Sequence, residues 1–232
     1  MTWPVPVLLH GYLGFSQFGP VHYFRGVAHA LEQAGVHCLL PAVSPAGTIA
    51  ERAGMLAYEL FKSDIPEFFL LGHSMGGLDA RYLASFLDSD RRIKRVLTVS
   101  TPHYGSPVAT WALASPTLFP AFVRYIGRPG LDELTPEARL AAPIPDRGDV
   151  LYTSYASNRP LAEQSVLLRS LGRLIHDNND GLVSVDSARW GNFLGTLHAD
   201  HLELIGWSLG LPNASIARPF DHIQFWTQAA KS

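Results

Sequence analysis

Short apolar runs alternate with segments of helical periodicity along most of this chain. Val5–Leu9, Val36–Leu40, Arg95–Ser100 and Val150–Tyr155 are runs of strand length, and Phe68–Leu71 leads directly into a glycine-rich turn. Between them, Tyr23–Gln33 places Phe24, Val27, Ala28 and Leu31 at i, i+3, i+4 and i+7, with Gly35 as a C-terminal stop. Thr48 and Glu51 predict a capping box for a helix through about Lys62, with Ile49, Ala53, Leu56 and Leu60 facing inward. Leu78, Tyr82 and Phe86 mark a further helix, Ser165–Leu174 another, and Ile216–Ala230 a terminal one carrying Ile223, Phe225 and Trp226. A polar loop over His176–Gly181 leads into a short apolar strand at Leu182–Val185. This alternation predicts an α/β fold with a mostly parallel central sheet and helices on both faces.

The pattern breaks between residues 107 and 145. Trp111, Leu113, Leu118, Phe119, Phe122, Val123, Tyr125 and Ile126 lie on more than one side of any helix drawn there, and Pro116 and Pro120 divide the segment. Such helices are buried between layers or cover an apolar site. The expectation is a small helical cap or lid inserted in a single domain spanning residues 1–232.

Composition narrows the class. The chain has 232 residues, 47% of them hydrophobic and 16% charged, with a formal net charge of −2. That is enough apolar material for one well-buried core, and no Lys/Arg block calls for nucleic acid. Cys38 is the only cysteine, so an internal disulfide is impossible and a buried spectator role is expected. Met1–Pro4 runs into a strand with no basic, cleavable leader, and no apolar run is long enough to span a bilayer. The chain as written is expected to be cytoplasmic, or secreted if a leader has been removed.

The chemistry gathers at Gly72-His73-Ser74-Met75-Gly76. A strand before this turn and a helix after it would expose one serine hydroxyl at the sheet edge, with the helix N-terminus aimed at any negative charge formed beside it. A serine nucleophile needs a histidine base, and the imidazole needs a carboxylate to fix its tautomer. With strand-end loops in the order serine, acid, histidine, His103 and His176 come too early and His222 lies in the terminal helix. His201 and His198 remain as bases. Asp180, at a turn before Gly181, is the leading acid, with Asp177 and Asp186 as alternatives or as plain turn formers. The glycines of His10-Gly11-Tyr12-Leu13-Gly14-Phe15 would let backbone approach the reacting group.

Five blocks in order, around His10–Phe15, Gly72–Tyr82, Ser100–Ser106, Asn179–Val183 and His201–Glu203, resemble bacterial triacylglycerol lipases of the true-lipase family of α/β-hydrolases. The resemblance implies a Ser74, Asp180 and His201 triad and an oxyanion hole from the backbone N–H groups of Tyr12 and Met75. It implies hydrolysis of lipid-like carboxylic esters, with transient contact at a lipid interface and no cofactor for the chemistry itself. A cytosolic carboxylesterase for short soluble esters is the alternative. Leu13, Phe15, Trp111, Leu118, Phe119 and Phe122 are candidates for the substrate pocket and lid. The family's structural calcium near the histidine loop would fall to Glu163 and Glu203, unless these are two surface glutamates. The chain is shorter than the family's members, mainly in the lid region.

Overall fold

The computed structural model describes residues 4–14, 16–18, 21–115, 128–207 and 219–232. Five parallel strands form the central sheet in the spatial order β1 (Val5–Leu9), β4 (Phe68–His73), β5 (Ile93–Val99), β6 (Leu151–Ser157) and β7 (Asn192–Leu197). A two-stranded antiparallel ribbon, β2 (Gln17–Phe18) with β3 (Val21–His22), follows the first loop.

Strict alternation along the central strands builds two cores. Val7, Leu9, Phe68, Leu70 and Val96 face one side, where they meet Ala53, Leu56 and Leu60 of α2 (Ile49–Phe61) and Ala80 of α3 (Met75–Tyr82). Leu8, Phe69, Leu71, Leu97 and Val99 face the other, against Val27 and Leu31 of α1 (Val27–Gln33) and Trp226 of the C-terminal helix over His222–Lys231. Both faces of the sheet are therefore covered, which is why its strands read as continuous apolar runs. The capping box at Thr48 and Glu51 is present with both bonds made.

Several elements depart from the sequence reading. Val36–Leu40 makes a single parallel bridge, Leu39 to Val7, rather than a full strand, and Pro41 ends it. The first helix begins at Val27, because Gly26 takes a left-handed conformation at its N-cap. Helix α3 passes into a π-helical turn over Leu83–Leu87. That extra residue per turn rotates the stripe, so Leu83 and Ala84 are buried and Phe86 is 52% exposed. Leu182–Val185 is a turn leading into a short helix, Val185–Ala188, and the last strand is instead β7. The C-terminal helix starts at His222, capped by Asp221; Ile216 lies outside the described residues. Cys38 is half-buried, and burial pushes its thiol up to about 12.

Within 107–145 the described segments are α4 (Pro107–Ala114), a helical stretch over 128–132 and α5 (Pro136–Ala141). Ser106 caps α4 through Val108 N–H. Ala109, Leu134 and Ile144 pack on Ile49, Met75 and Leu78, so the insertion rests on the N-terminal end of α3. Trp111 is half-buried on α4, while Phe15, Leu118, Phe119 and Phe122 lie outside the described residues. No helix among the described residues is long and apolar enough to cross a membrane.

Candidate active site

Ser74 stands between β4 and α3 with φ 55° and ψ −130°, a conformation that costs energy for a residue with a side chain. The corner persists because neighbouring backbones close on it. A Cβ at Gly76 would sit 2.4 Å from the Leu9 carbonyl oxygen, and one at Gly77 would overlap Thr101 Oγ1 at 2.1 Å. Thr101 in turn donates to the Ser74 carbonyl at 2.8 Å, and Ser74 N–H donates to Val99 O at 3.0 Å. The serine is 9% exposed. As the first residue of α3, Met75 has an N–H with no partner inside its own helix.

The first loop reaches the same point. A Cβ on Gly11 would lie 2.8 Å from Ser74 Cβ and 3.2 Å from Ser74 Oγ, so only glycine lets this backbone pass the serine. Gly11 N–H donates to Tyr23 Oη at 3.0 Å, and that hydroxyl also bonds His73 Nδ1 at 2.8 Å. His73 is fully buried, and burial first, then His201, holds its pKa well below the usual histidine range. Leu13 turns outward, 46% exposed.

A buried arginine fixes the loop from below. Arg52 sends Nε to Asp79 Oδ2 at 2.8 Å, Nη2 to the His10 carbonyl at 2.7 Å and Nη1 to the Ser44 carbonyl at 2.6 Å. Both side chains of the Arg52–Asp79 pair are wholly inaccessible. Burial raises the Asp79 carboxyl to about 6 despite Arg52, so the fold binds this proton more tightly than the unfolded chain. Asp79 therefore subtracts from stability as pH climbs from about 4 to about 6. Arg52→Ala would push that carboxyl higher still and strand the His10 and Ser44 carbonyls. A loss of about 3–5 kcal/mol is expected, larger at pH 8 than at pH 5, measured by urea unfolding at both. A loss below about 1 kcal/mol at either pH would contradict the role given to Arg52.

Asp180 and His201 meet in a buried pair. His201 Nδ1 lies 2.8 Å from Asp180 Oδ2, and His201 N–H donates to the Asp180 carbonyl at 2.9 Å. Ser157 Oγ donates to the same Oδ2 at 2.8 Å, while Oδ1 accepts from Leu182 N–H at 3.0 Å and Val183 N–H at 2.8 Å. Burial alone would raise this carboxyl. His201 and the two backbone donors outweigh it and hold the group below the usual carboxylate range. The His201 ring packs on His73, the residue before Ser74, with centroids 4.6 Å apart. Ser74 Oγ and His201 make no direct hydrogen bond here, a common state of catalytic pairs without substrate.

The other candidates lie elsewhere. His198 is exposed and faces Glu163 at 3.2 Å. Asp177 and Asp186 are exposed, and Asp186 pairs loosely with Arg189. His103 is buried between Thr98 Oγ1 and Arg81. His222 contacts the Arg25 carbonyl at 2.8 Å. Glu163 and Glu203 both face Arg159, which is bidentate to Glu203 at 2.8 and 2.9 Å and reaches Glu163 at 3.1 Å. Their carboxylate oxygens thus address a guanidinium rather than an open cation cage, and among the described residues no cluster of three or more His, Cys, Asp or Glu side chains is arranged to hold a metal. A cavity of about 410 Å³ bounded by Val5, Val36, Phe69 and Arg95 lies at the opposite end of the strands from Ser74. Tyr23, Arg52 and Ser157 carry no local sequence signal, since His73, Asp79 and Asp180 lie 23 to 50 residues away, and Arg159 has Glu163 four residues on but Glu203 only 44 residues on.

Residues 55–115 match the model of the PGAP1-like alpha/beta domain family. The chain is 29% identical over 220 residues to triacylglycerol lipase 2 of Saccharomyces cerevisiae, covering 81% of this chain and 63% of the relative. It is 32% identical over 148 residues to a triacylglycerol lipase of Pseudomonas fragi, covering 55% and 50%. The chain thus spans between half and two thirds of the length of these curated relatives. Among solved structures, a carboxyl esterase of metagenomic origin superposes with a TM-score of 0.77 at 22% identity, over 98% of this chain and 75% of that one. The chain has the α/β-hydrolase fold of lipase and esterase structures, and the curated proteins it is similar to are triacylglycerol lipases.

Proposed function

We propose that this protein hydrolyses carboxylic esters of lipid-like substrates through an acyl-enzyme on Ser74. The observation that carries the reading is the buried Asp180–His201 pair set beside a serine on a strained strand-to-helix corner. His201 Nε2 takes the Ser74 proton as Oγ attacks the ester carbonyl, and Asp180 holds the Nδ1–H tautomer and steadies the imidazolium. Gly11 N–H is engaged by Tyr23, which favours the next amide, Tyr12, together with Met75, as donors to the oxyanion. One such donor contributes about 3 kcal/mol to the transition state. Collapse of the intermediate expels the alkoxide, which takes the proton from His201. Water then repeats the sequence on the acyl-enzyme, releasing the acid and restoring Ser74.

The apolar content of residues 107–128, with Trp111 on α4 and exposed Leu13 in the first loop, favours medium to long acyl chains. A p-nitrophenyl ester series from acetate to palmitate, together with emulsified triglyceride, measures this. The expected maximum lies above C6, with turnover of the emulsion. A maximum at C2–C4 and no response to emulsion would replace the reading with a short-chain carboxylesterase.

A further inference from the structure

Two loops must keep their spacing for Asp180 to meet His201, and one residue touches both, one through its backbone and the other through its side chain. Arg159 lies two residues past β6. Its N–H donates to the Asn179 carbonyl at 3.1 Å, one residue before Asp180. Its own carbonyl accepts from Gln164 Nε2 at 2.8 Å, and the same amide group reaches the Asn179 carbonyl at 3.2 Å. The backbone of Arg159 is thereby fastened to the acid loop.

Its side chain is fastened to the histidine loop. Nε and Nη2 form a bidentate pair with Glu203, the planar geometry in which arginine binds carboxylate most specifically. Glu203 Oε2 also accepts Asp200 N–H at 2.8 Å, and Asp200 Oδ1 accepts the N–H groups of Leu202 and Glu203, each at 3.0 Å. This reciprocal capping box encloses His201. Asp200 Oδ2 adds a bond from Ser165 N–H at 3.1 Å. The Arg159 and Glu203 side chains are 2% and 10% exposed, so water screens their attraction little. Burial opposes the guanidinium's charge, but Glu203 and then Glu163 outweigh it and raise its pKa.

A calcium ion needs six to eight oxygen ligands at about 2.3–2.6 Å. Here both oxygens of Glu203 and Oε2 of Glu163 already accept guanidinium N–H groups, and a divalent ion in the same place would face a fixed positive charge. We propose that Arg159 is a positioning residue, the protein's own cation, which ties the acid loop to the histidine loop and makes the Asp180–His201 geometry independent of calcium. The proposal rests on the triad reading given above.

The test compares wild type, Arg159→Lys and Arg159→Ala, each with EDTA or with added calcium. The readouts are kcat and KM on the preferred p-nitrophenyl ester, the rate of Ser74 labelling by a fluorophosphonate, and the thermal midpoint. Wild type should be indifferent to EDTA and calcium in all of them. Arg159→Ala should lose roughly 10- to 100-fold in kcat and in labelling rate, with KM changed less than about threefold. Millimolar guanidinium should restore part of that loss, and Arg159→Lys should fall between the two. A wild type that loses labelling rate and thermal stability in EDTA and regains both with calcium would overturn the proposal, whether or not the variants fold. So would an Arg159→Ala labelling rate within twofold of wild type. Labelling of wild type without turnover of any ester would sink the hydrolase reading alone, leaving the Arg159 comparison legible in labelling rates.

Discussion

Ser74→Ala is expected to lower ester turnover by roughly 10⁴–10⁶-fold while leaving the fold intact. The size of the effect follows from what alanine removes. It deletes the only atom that can carry the acyl group and leaves in place the Asp180–His201 pair, Tyr12 and Met75, which can then act only on bound water. Stability should change little, because Ser74 is joined to its neighbours through its backbone and not through Oγ. Its N–H is held by Val99, and its carbonyl by Thr101 and Gly77. Alanine must still adopt φ 55°, a strain serine already bears. Steady-state kinetics on the best ester, with a thermal melt and loss of fluorophosphonate labelling, measures the three parts. Turnover within tenfold of wild type would remove Ser74 from the chemistry.

How much of this was legible beforehand depended on whether the signal was local. The Gly72–Gly76 turn announces itself because glycines are needed where β4, α3, β1 and the Thr101 loop crowd together, and that need is written in the turn itself. The capping box of α2 is equally local, a donor and an acceptor three residues apart. Strand β7 was missed for the opposite reason. It is an edge strand, Asn-Phe-Leu-Gly-Thr-Leu, alternately exposed and half-buried, so its apolar content is diluted. Arg52 was invisible as a site residue because an arginine in an otherwise apolar helical stripe reads as solvated. Only the fold brings Asp79 and the His10 carbonyl to it. Glu163 and Glu203 are calcium candidates in the sequence; in the fold both carboxylates turn to the chain's own Arg159, 44 residues from Glu203.

Asp180 is open to two readings, turn former or catalytic acid, and its two oxygens meet different partners. Oδ1 accepts the N–H groups of Leu182 and Val183 and closes the turn, leaving Oδ2 for His201 and Ser157. Asp180→Asn should therefore fail twice. If the amide oxygen stays on the turn, its NH₂ faces His201 Nδ1, which must then be an acceptor. The ring proton moves to Nε2, where the Ser74 proton has to go, and kcat is expected to fall by about 10⁴-fold. If the amide is flipped, its NH₂ opposes two backbone donors and the turn is destabilised. The pH dependence separates this from a general loss of packing. The wild-type carboxyl titrates below its unfolded value, so its ionised form stabilises the fold above the unfolded pKa, and that contribution is lost as pH falls through the folded value. The stability gap between wild type and Asp180→Asn should thus be widest near neutrality and close towards acid pH, in urea unfolding measured from pH 7 downwards. A gap that stays constant into acid pH would show that the carboxylate charge does not hold this loop. A kcat within tenfold of wild type would pass the acid's role to another carboxylate.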